Sequence, residues 1–224
     1  GCPVSFSWRN FDYSNFWQSI PLWKDVSREE FADHKWQDRN AIVSFKKFIA
    51  VASDLASPSF IEDAKKGFEM SPMAVRISPY LFSLIDWNNP VEDPIRTQFL
   101  PLASQLQSDH PMLTFDSLHE QEEAPVKGLT HRYEDKVLFL ALDICPVYCR
   151  FCTRSYAVGS ATPQAEKVSL KASKNRWQDM FNYLRENPQV EDVVISGGDS
   201  YRLKTSQITQ IGEELLKIDH IRRF

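Results

Sequence analysis

The chain reads as an α/β protein, a parallel sheet or (β/α) barrel preceded by a helical N-terminal region. Three features point there. Residues 137–142 (Val137, Leu138, Phe139, Leu140, Ala141, Leu142) form a continuous apolar run, as a strand buried on both faces does, and Val193, Val194 and Ile195 form a second. Between them Trp177, Met180, Phe181 and Leu184 recur at helical spacing, and Asn187-Pro188 stops that helix. Behind the second run Ile208, Ile211, Leu215 and Ile218 mark another helix, opened by Thr205. Strand, helix, strand, helix with short joints is the pattern of a parallel α/β unit.

Residues 1–101 read as the helical region. Ser27 with Glu30 three residues on is a capping box, and Ile42, Phe45, Ile49 and Ala52 predict one apolar helix face behind it. Ser59 and Glu62 repeat the box before a short helix that Gly67 is expected to end. Asp93-Pro94 places a cap before a proline at a first helical position. Trp8, Trp17, Trp23 and Trp36 are expected to pack as core. Residues 102–135 are polar, with the acidic run Glu120-Gln121-Glu122-Glu123, and predict a solvated connecting loop. Residues 136–224 are the α/β unit. Ile221 starts what reads as a third strand, with the last residue, Phe224, three positions on. An apolar strand edge is a poor stopping point for a domain, so the expectation is an incomplete barrel that would not turn over substrate alone. The first residue is Gly1, and no charged stretch with an apolar core follows it, so the expectation is a missing or processed start.

Composition narrows the function. Of 224 residues, 42% are hydrophobic and 25% charged, which excludes disorder as the main description. No apolar run approaches the roughly 20 residues of a membrane span. A net charge of −4 offers no electrostatic footprint for nucleic acid or an anionic membrane. Glycine contributes only 7 residues, well under the usual ~7%, yet Gly197 and Gly198 are adjacent. Of 4 cysteines, Cys145, Cys149 and Cys152 fall within one short segment, whereas a disulfide scaffold spreads its cysteines across the fold. That crowding suits a metal or cluster in a reducing intracellular compartment, cytoplasmic or organellar. Cys2 has no assigned role.

The unusual residues follow the strands, where α/β folds place their chemistry. Cys145, Cys149 and Cys152 supply three thiolates at C-x3-C-x2-C. A four-iron cubane normally takes four, so three leave one iron open to a ligand. Structural zinc, with a fourth ligand such as His131, is the competing reading, although no second knuckle exists; unliganded buried cysteines are another. Gly197-Gly198-Asp199 follows the second strand: missing side chains let a ligand approach the backbone, and the acid can accept from an ammonium. Read alone, it is equally a turn. Arg132, Tyr133 and Lys136 could satisfy a phosphate's oxygens or lie on a solvated loop.

The run Cys145-Pro146-Val147-Tyr148-Cys149-Arg150-Phe151-Cys152-Thr153-Arg154 resembles the signature of radical S-adenosylmethionine enzymes, and in particular the lysine 2,3-aminomutase family. The resemblance extends to His34-Lys35-Trp36-Gln37, Ile77-Ser78-Pro79-Tyr80, Asp93-Pro94-Ile95-Arg96, His131-Arg132-Tyr133 and Ser196-Gly197-Gly198-Asp199, from about residue 20 onward. It implies a partial radical-SAM (β/α) barrel. It also implies a [4Fe–4S] cluster on the three cysteines, with its open iron chelated by S-adenosylmethionine, and pyridoxal 5′-phosphate as carrier of the amino acid. Reductive cleavage would yield a 5′-deoxyadenosyl radical that takes a β-hydrogen, and the amino group would move from the α- to the β-carbon. By the same resemblance Gly197, Gly198 and Asp199 contact S-adenosylmethionine. Arg132, Tyr133 and Lys136 contact pyridoxal phosphate, and Arg154 pairs with the substrate carboxylate. Two departures stand out: Ser200 where relatives often carry proline, and Lys136 where they often carry arginine. His131 is a structural neighbour, and Lys204 matches no Schiff-base motif. The implied partners are an amino acid, most directly L-lysine, and an electron donor, with a homo-oligomer as an open alternative. The rivals are radical aminomutases acting on glutamate, arginine or protein-bound lysine, and a non-catalytic cluster or zinc module.

Overall fold

The computed structural model describes residues 14–108 and 110–224; Cys2 and Trp8 lie outside the described residues. Two 3-10 turns, Phe16–Ser19 and Pro21–Trp23, lead into α1 (Arg28–Ala32) and α2 (His34–Arg39). The Ser27 hydroxyl accepts from the Glu30 amide, as expected of the cap, and Asp33 caps α2 in the same way. α3 (Phe45–Ala52), α4 (Pro58–Met70), α5 (Pro79–Leu84) and α6 (Pro94–Phe99) complete the helical layer. Asp93 caps α6 through Oδ1, 2.8 Å from the Arg96 amide, with Pro94 at the first position. Trp17 and Trp23 are buried and Trp36 packs against them, so these tryptophans are core. Trp17 stacks on Phe31 with ring centroids 4.5 Å apart.

Two helix expectations are corrected. Ile42 is not on the helix that follows it. Ser44 caps α3 later, and Ile42 instead forms a two-bond antiparallel bridge with Ile77, at 2.8 and 3.1 Å. Ile49 consequently faces solvent, and the buried face of α3 is Phe48, Val51 and Ala52. α4 begins one cap earlier than expected, on Ser57 with Pro58 behind it, and runs through Gly67. A Cβ on Gly67 would stand 2.4 Å from the Pro101 carbonyl oxygen. This glycine admits a passing chain rather than ending a helix.

The second core is built on three strands among the described residues: β1 (Leu129–Tyr133), β2 (Lys136–Leu142) and β3 (Asp192–Gly197), in that order across the sheet. β2 and β3 are parallel, joined by α7 (Lys174–Glu186), with Val137 opposite Val193 and Phe139 opposite Ile195. β1 was not anticipated; it pairs antiparallel with β2 from within the segment expected to be a connecting loop. The architecture is therefore mixed α/β. α7 lays Trp177, Met180, Phe181 and Leu184 on β2, and Phe139 stacks on Phe181 at 5.5 Å. α8 (Thr205–Leu215) buries Ile211 and Leu215, while Ile208 is partly exposed. β3 is not buried on both faces, because Val194 is 44% exposed. Arg223 makes a parallel bridge to Asp192, at the position expected for a third parallel strand. No helix among the described residues is long and apolar enough to cross a membrane.

Candidate functional site

The carboxyl ends of β2 and β3 are neighbours in register, so the loops that leave them emerge side by side. The first carries the three cysteines. Its path is set by the helical layer: Tyr148 donates its amide to Arg76 O at 2.9 Å, and Arg150 donates to Gln98 O at 2.9 Å and Thr97 O at 3.0 Å. Arg76 Nε reaches Pro146 O at 3.1 Å. Val147 and Cys149 pack on the helical core, a tie that no local pattern announces. A tight turn then brings the Cys152 amide to Cys149 O at 3.3 Å and the Ser155 amide to Cys152 O at 3.2 Å.

All three thiols are free and half-buried. Burial, then the neighbouring Cys152, Asp199 and Cys149, pushes the Cys145 thiol up to about 12. Burial and then Cys152 raise Cys149 in the same direction. At Cys145 and Cys149 the thiolate is disfavoured by desolvation and by neighbouring cysteines, costs that a bound cationic centre would offset. Among the described residues no three His, Cys, Asp or Glu side chains are grouped as ligands of a single ion. Three thiolates on one loop are the donor type that iron–sulfur clusters take, each on a separate iron. The fourth zinc ligand considered above is engaged elsewhere: His131 Nδ1 lies 2.6 Å from the Tyr183 hydroxyl.

The second loop begins at Gly197 and Gly198. Here the structure shows a packing reason for glycine. A Cβ on Gly197, whose φ is 140°, would stand 2.2 Å from Leu142 O, and one on Gly198 would stand 2.4 Å from Ile144 O. The Gly198 amide donates to Leu142 O at 2.7 Å and the Asp199 amide to Ile144 O at 2.8 Å. The side-chain space of the pair is filled by the chain leading to Cys145. Asp199 is held as a cap, its Oδ1 accepting from the Tyr201 amide at 3.0 Å at the start of a 3-10 turn, Ser200–Arg202.

Arg132, Tyr133 and Lys136 do come together, lining a cavity of about 200 Å3 with Glu120, Thr130, Val137, Leu138 and Val194. Both cations carry acidic partners: Arg132 Nε bonds Glu123, and Lys136 Nζ lies 3.2 Å from Asp192 Oδ2. A phosphate bound there would compete with these carboxylates.

Arg154 sits at the same end of the sheet, with Nη1 3.4 Å from Ser196 Oγ. Its Nε contacts both oxygens of Glu120, at 3.1 and 3.0 Å. Glu120 is a correction. It was expected in a solvated acidic run, yet it is 4% exposed, and it also accepts from the Tyr156 hydroxyl at 3.0 Å. Burial and then Glu120 push the Tyr156 phenol upward, so its Oη stays a donor. Thr130 Oγ1 donates to the Glu120 carbonyl at 3.2 Å. Acidic character was the only sequence signal for Glu120, and Glu122 and Glu123 share it.

No protein-family model matches the chain. It is 35% identical over 207 residues to an L-lysine 2,3-aminomutase of Bacillus subtilis (strain 168), covering 92% of this chain and 41% of that protein. It is 36% identical over 203 residues to an L-lysine 2,3-aminomutase of Clostridium subterminale, covering 89% and 45%. A glutamate 2,3-aminomutase of Clostridioides difficile (strain 630) is 28% identical over 198 residues, covering 87% and 43%. The chain thus spans less than half the length of each of these relatives. Over the residues it shares with them, from the helical layer through both strand-end loops, the chain belongs to the lysine 2,3-aminomutase family.

Proposed function

We propose that these residues form the cluster- and S-adenosylmethionine-binding part of a radical, pyridoxal phosphate-dependent aminomutase, an isomerase that moves the α-amino group of an amino acid to its β-carbon. The observation that carries the reading is the adjacency of the two loops. Three free thiols leave the end of β2, and the Gly197-Gly198-Asp199 turn leaves the end of the parallel β3, bonded to the first loop through its own backbone. β2, α7, β3 and α8 then stand as the first units of a (β/α) barrel, with β1 as an added antiparallel edge.

In this reading Cys145, Cys149 and Cys152 hold a [4Fe–4S] cluster, and the turn at Gly197, Gly198 and Asp199 receives the amino end of S-adenosylmethionine. Bound together they supply one-electron hydrogen abstraction, and pyridoxal 5′-phosphate supplies a carrier for the migrating nitrogen. The chain's own residues bind and orient. Arg132, Tyr133 and Lys136 would receive the phosphate, which would displace the Glu123 and Asp192 carboxylates from the two cations. Arg154 turns its terminal nitrogens toward a substrate carboxylate, because Glu120 occupies its Nε edge. Tyr156 keeps its proton on Oη and so fixes Glu120. The cluster requires an electron donor and a reducing compartment. L-Lysine leads among substrates because the relatives at 35–37% identity carry that name, against 28% for the glutamate enzyme.

The test is anaerobic reconstitution of the chain with iron, sulfide and zinc all present. The expected product holds about four irons and four sulfides per chain. One zinc per chain with no iron would overturn the reading.

A further inference from the structure

Between the helical layer and the two strand-end loops lies a junction of three charged side chains. Asp38, on α2, bonds Arg76 Nη2 through Oδ1 and Arg202 Nη2 through Oδ2, the latter at 2.8 Å. Arg76 grips the cysteine loop on both sides of Val147: Nε donates to Pro146 O at 3.1 Å, and the Arg76 carbonyl accepts the Tyr148 amide at 2.9 Å. Arg202 closes the turn that Asp199 caps, its amide donating to Asp199 O at 2.9 Å. Through Arg76, 38 residues on, and Arg202, 164 residues on, one carboxylate therefore joins the segment between Cys145 and Cys149 to the turn behind Asp199.

We propose that Asp38 is a positioning residue that sets the distance between the cysteine loop and the Asp199 turn, and through it the fit of S-adenosylmethionine against the open iron. The inference rests on the cluster reading above. Two guanidinium groups converge on Asp38, and without its charge they repel and the two loops part. Arg202 has little else to hold it, since its Nε is buried without a hydrogen-bond partner among the described residues. Asp38 also borders a cavity of about 440 Å3 that includes Pro146 and Arg202 in its lining, so truncating it creates no sealed void and the fold tolerates the change. Among the described residues none of the three side chains is hydrogen-bonded to a cysteine sulfur, so holding the loops together is distinct from holding the iron.

The experiment compares wild type, Asp38→Ala, Asp38→Asn, Arg202→Met and the double variant Asp38→Ala/Arg202→Met, each reconstituted with iron and sulfide. Iron per chain should match wild type in all of them. S-Adenosylmethionine affinity, read by calorimetry and by the change it causes in the spectrum of the reduced cluster, should fall about tenfold in Asp38→Ala, as for other residues that orient ligands of a metal site. Asp38→Asn should fall less. The double variant should lose no more than Asp38→Ala alone, because both act through one bond. Without cofactors, hydrogen exchange should quicken at the Tyr148 and Arg202 amides in Asp38→Ala and leave β2 unchanged. Affinity equal to wild type at equal iron content overturns the role, as does an additive double variant. A wild-type chain that loads no iron overturns the cluster reading and this role with it.

Discussion

The loop leaving β2 and the loop leaving β3 lie side by side and are held by different means. The cysteine loop is tied down by distant residues of the helical layer, through Arg76, Thr97 and Gln98. The glycine loop is tied down by the backbone of its own neighbour, at Leu142 and Ile144, across distances that exclude a single methyl group. Two of the cysteine loop's ties are side-chain bonds, Arg76 Nε to Pro146 O and Arg150 Nη1 to Thr97 O, and each can be removed singly. A loop held by backbone contact either keeps its glycines or loses its path.

The largest expected effect is therefore at the glycine pair. Gly198→Ala should destabilise the chain by about 3 kcal/mol or more in urea unfolding, since backbone rather than a flexible side chain must move. A loss under about 0.5 kcal/mol, the range of an inert surface change, would break the contrast between the loops. Next comes Glu120→Ala. It strips the partner from a half-buried arginine and a buried phenol, and should cost about 2 kcal/mol after allowing for the partial exposure of Arg154. Arg76→Met should cost about 1 kcal/mol, the scale of lost hydrogen bonds with partial solvent access, while lowering iron retention after gel filtration. Unchanged iron retention would show that the cysteine loop does not need its distant anchor.

A functional contrast is sharper than the energetic one. Assayed as the aminomutase proposed above, Arg154→Lys should leave iron content intact and raise the substrate KM by about tenfold, because a point charge replaces a planar fork. Unchanged substrate kinetics at normal iron would remove Arg154 from the carboxylate role. The smallest effect is on pH. Burial raises the Asp38 carboxyl, but Arg202 and Arg76 outweigh it and hold the group below the usual carboxylate range. A depressed folded pKa stabilises above the unfolded value and is lost as pH falls through the folded one. Asp38→Asn should accordingly flatten the acid limb of the stability curve below the normal carboxylate range and leave stability at neutral pH nearly pH-independent.

What could be read from the sequence follows the range of the interactions. The caps at Ser27 and Asp93 and the stop at Asn187 are settled within four residues, and each lies where local chemistry placed it. The two loops were legible for the same reason, since apolar runs mark strands and α/β chemistry sits at their carboxyl ends. Ile42 shows the first limit. Its spacing suits a helix, but a bridge to Ile77 claims it, and Ser44 restarts the chain. Glu120 shows the second: it meets Arg154 across 34 residues, and nothing in a run of acids marks the one that is buried. Gly197 and Gly198 show the third. Their presence signalled a close approach, but only the fold identifies Leu142 and Ile144 as what approaches.

The central claim, three thiolates holding a cluster with one open iron, is most directly tested by Mössbauer spectroscopy of the iron-57-reconstituted chain with and without S-adenosylmethionine. The account predicts one iron of about four whose spectrum shifts to higher coordination when S-adenosylmethionine is added, while the other three stay unchanged. Four equivalent irons that ignore S-adenosylmethionine would contradict it.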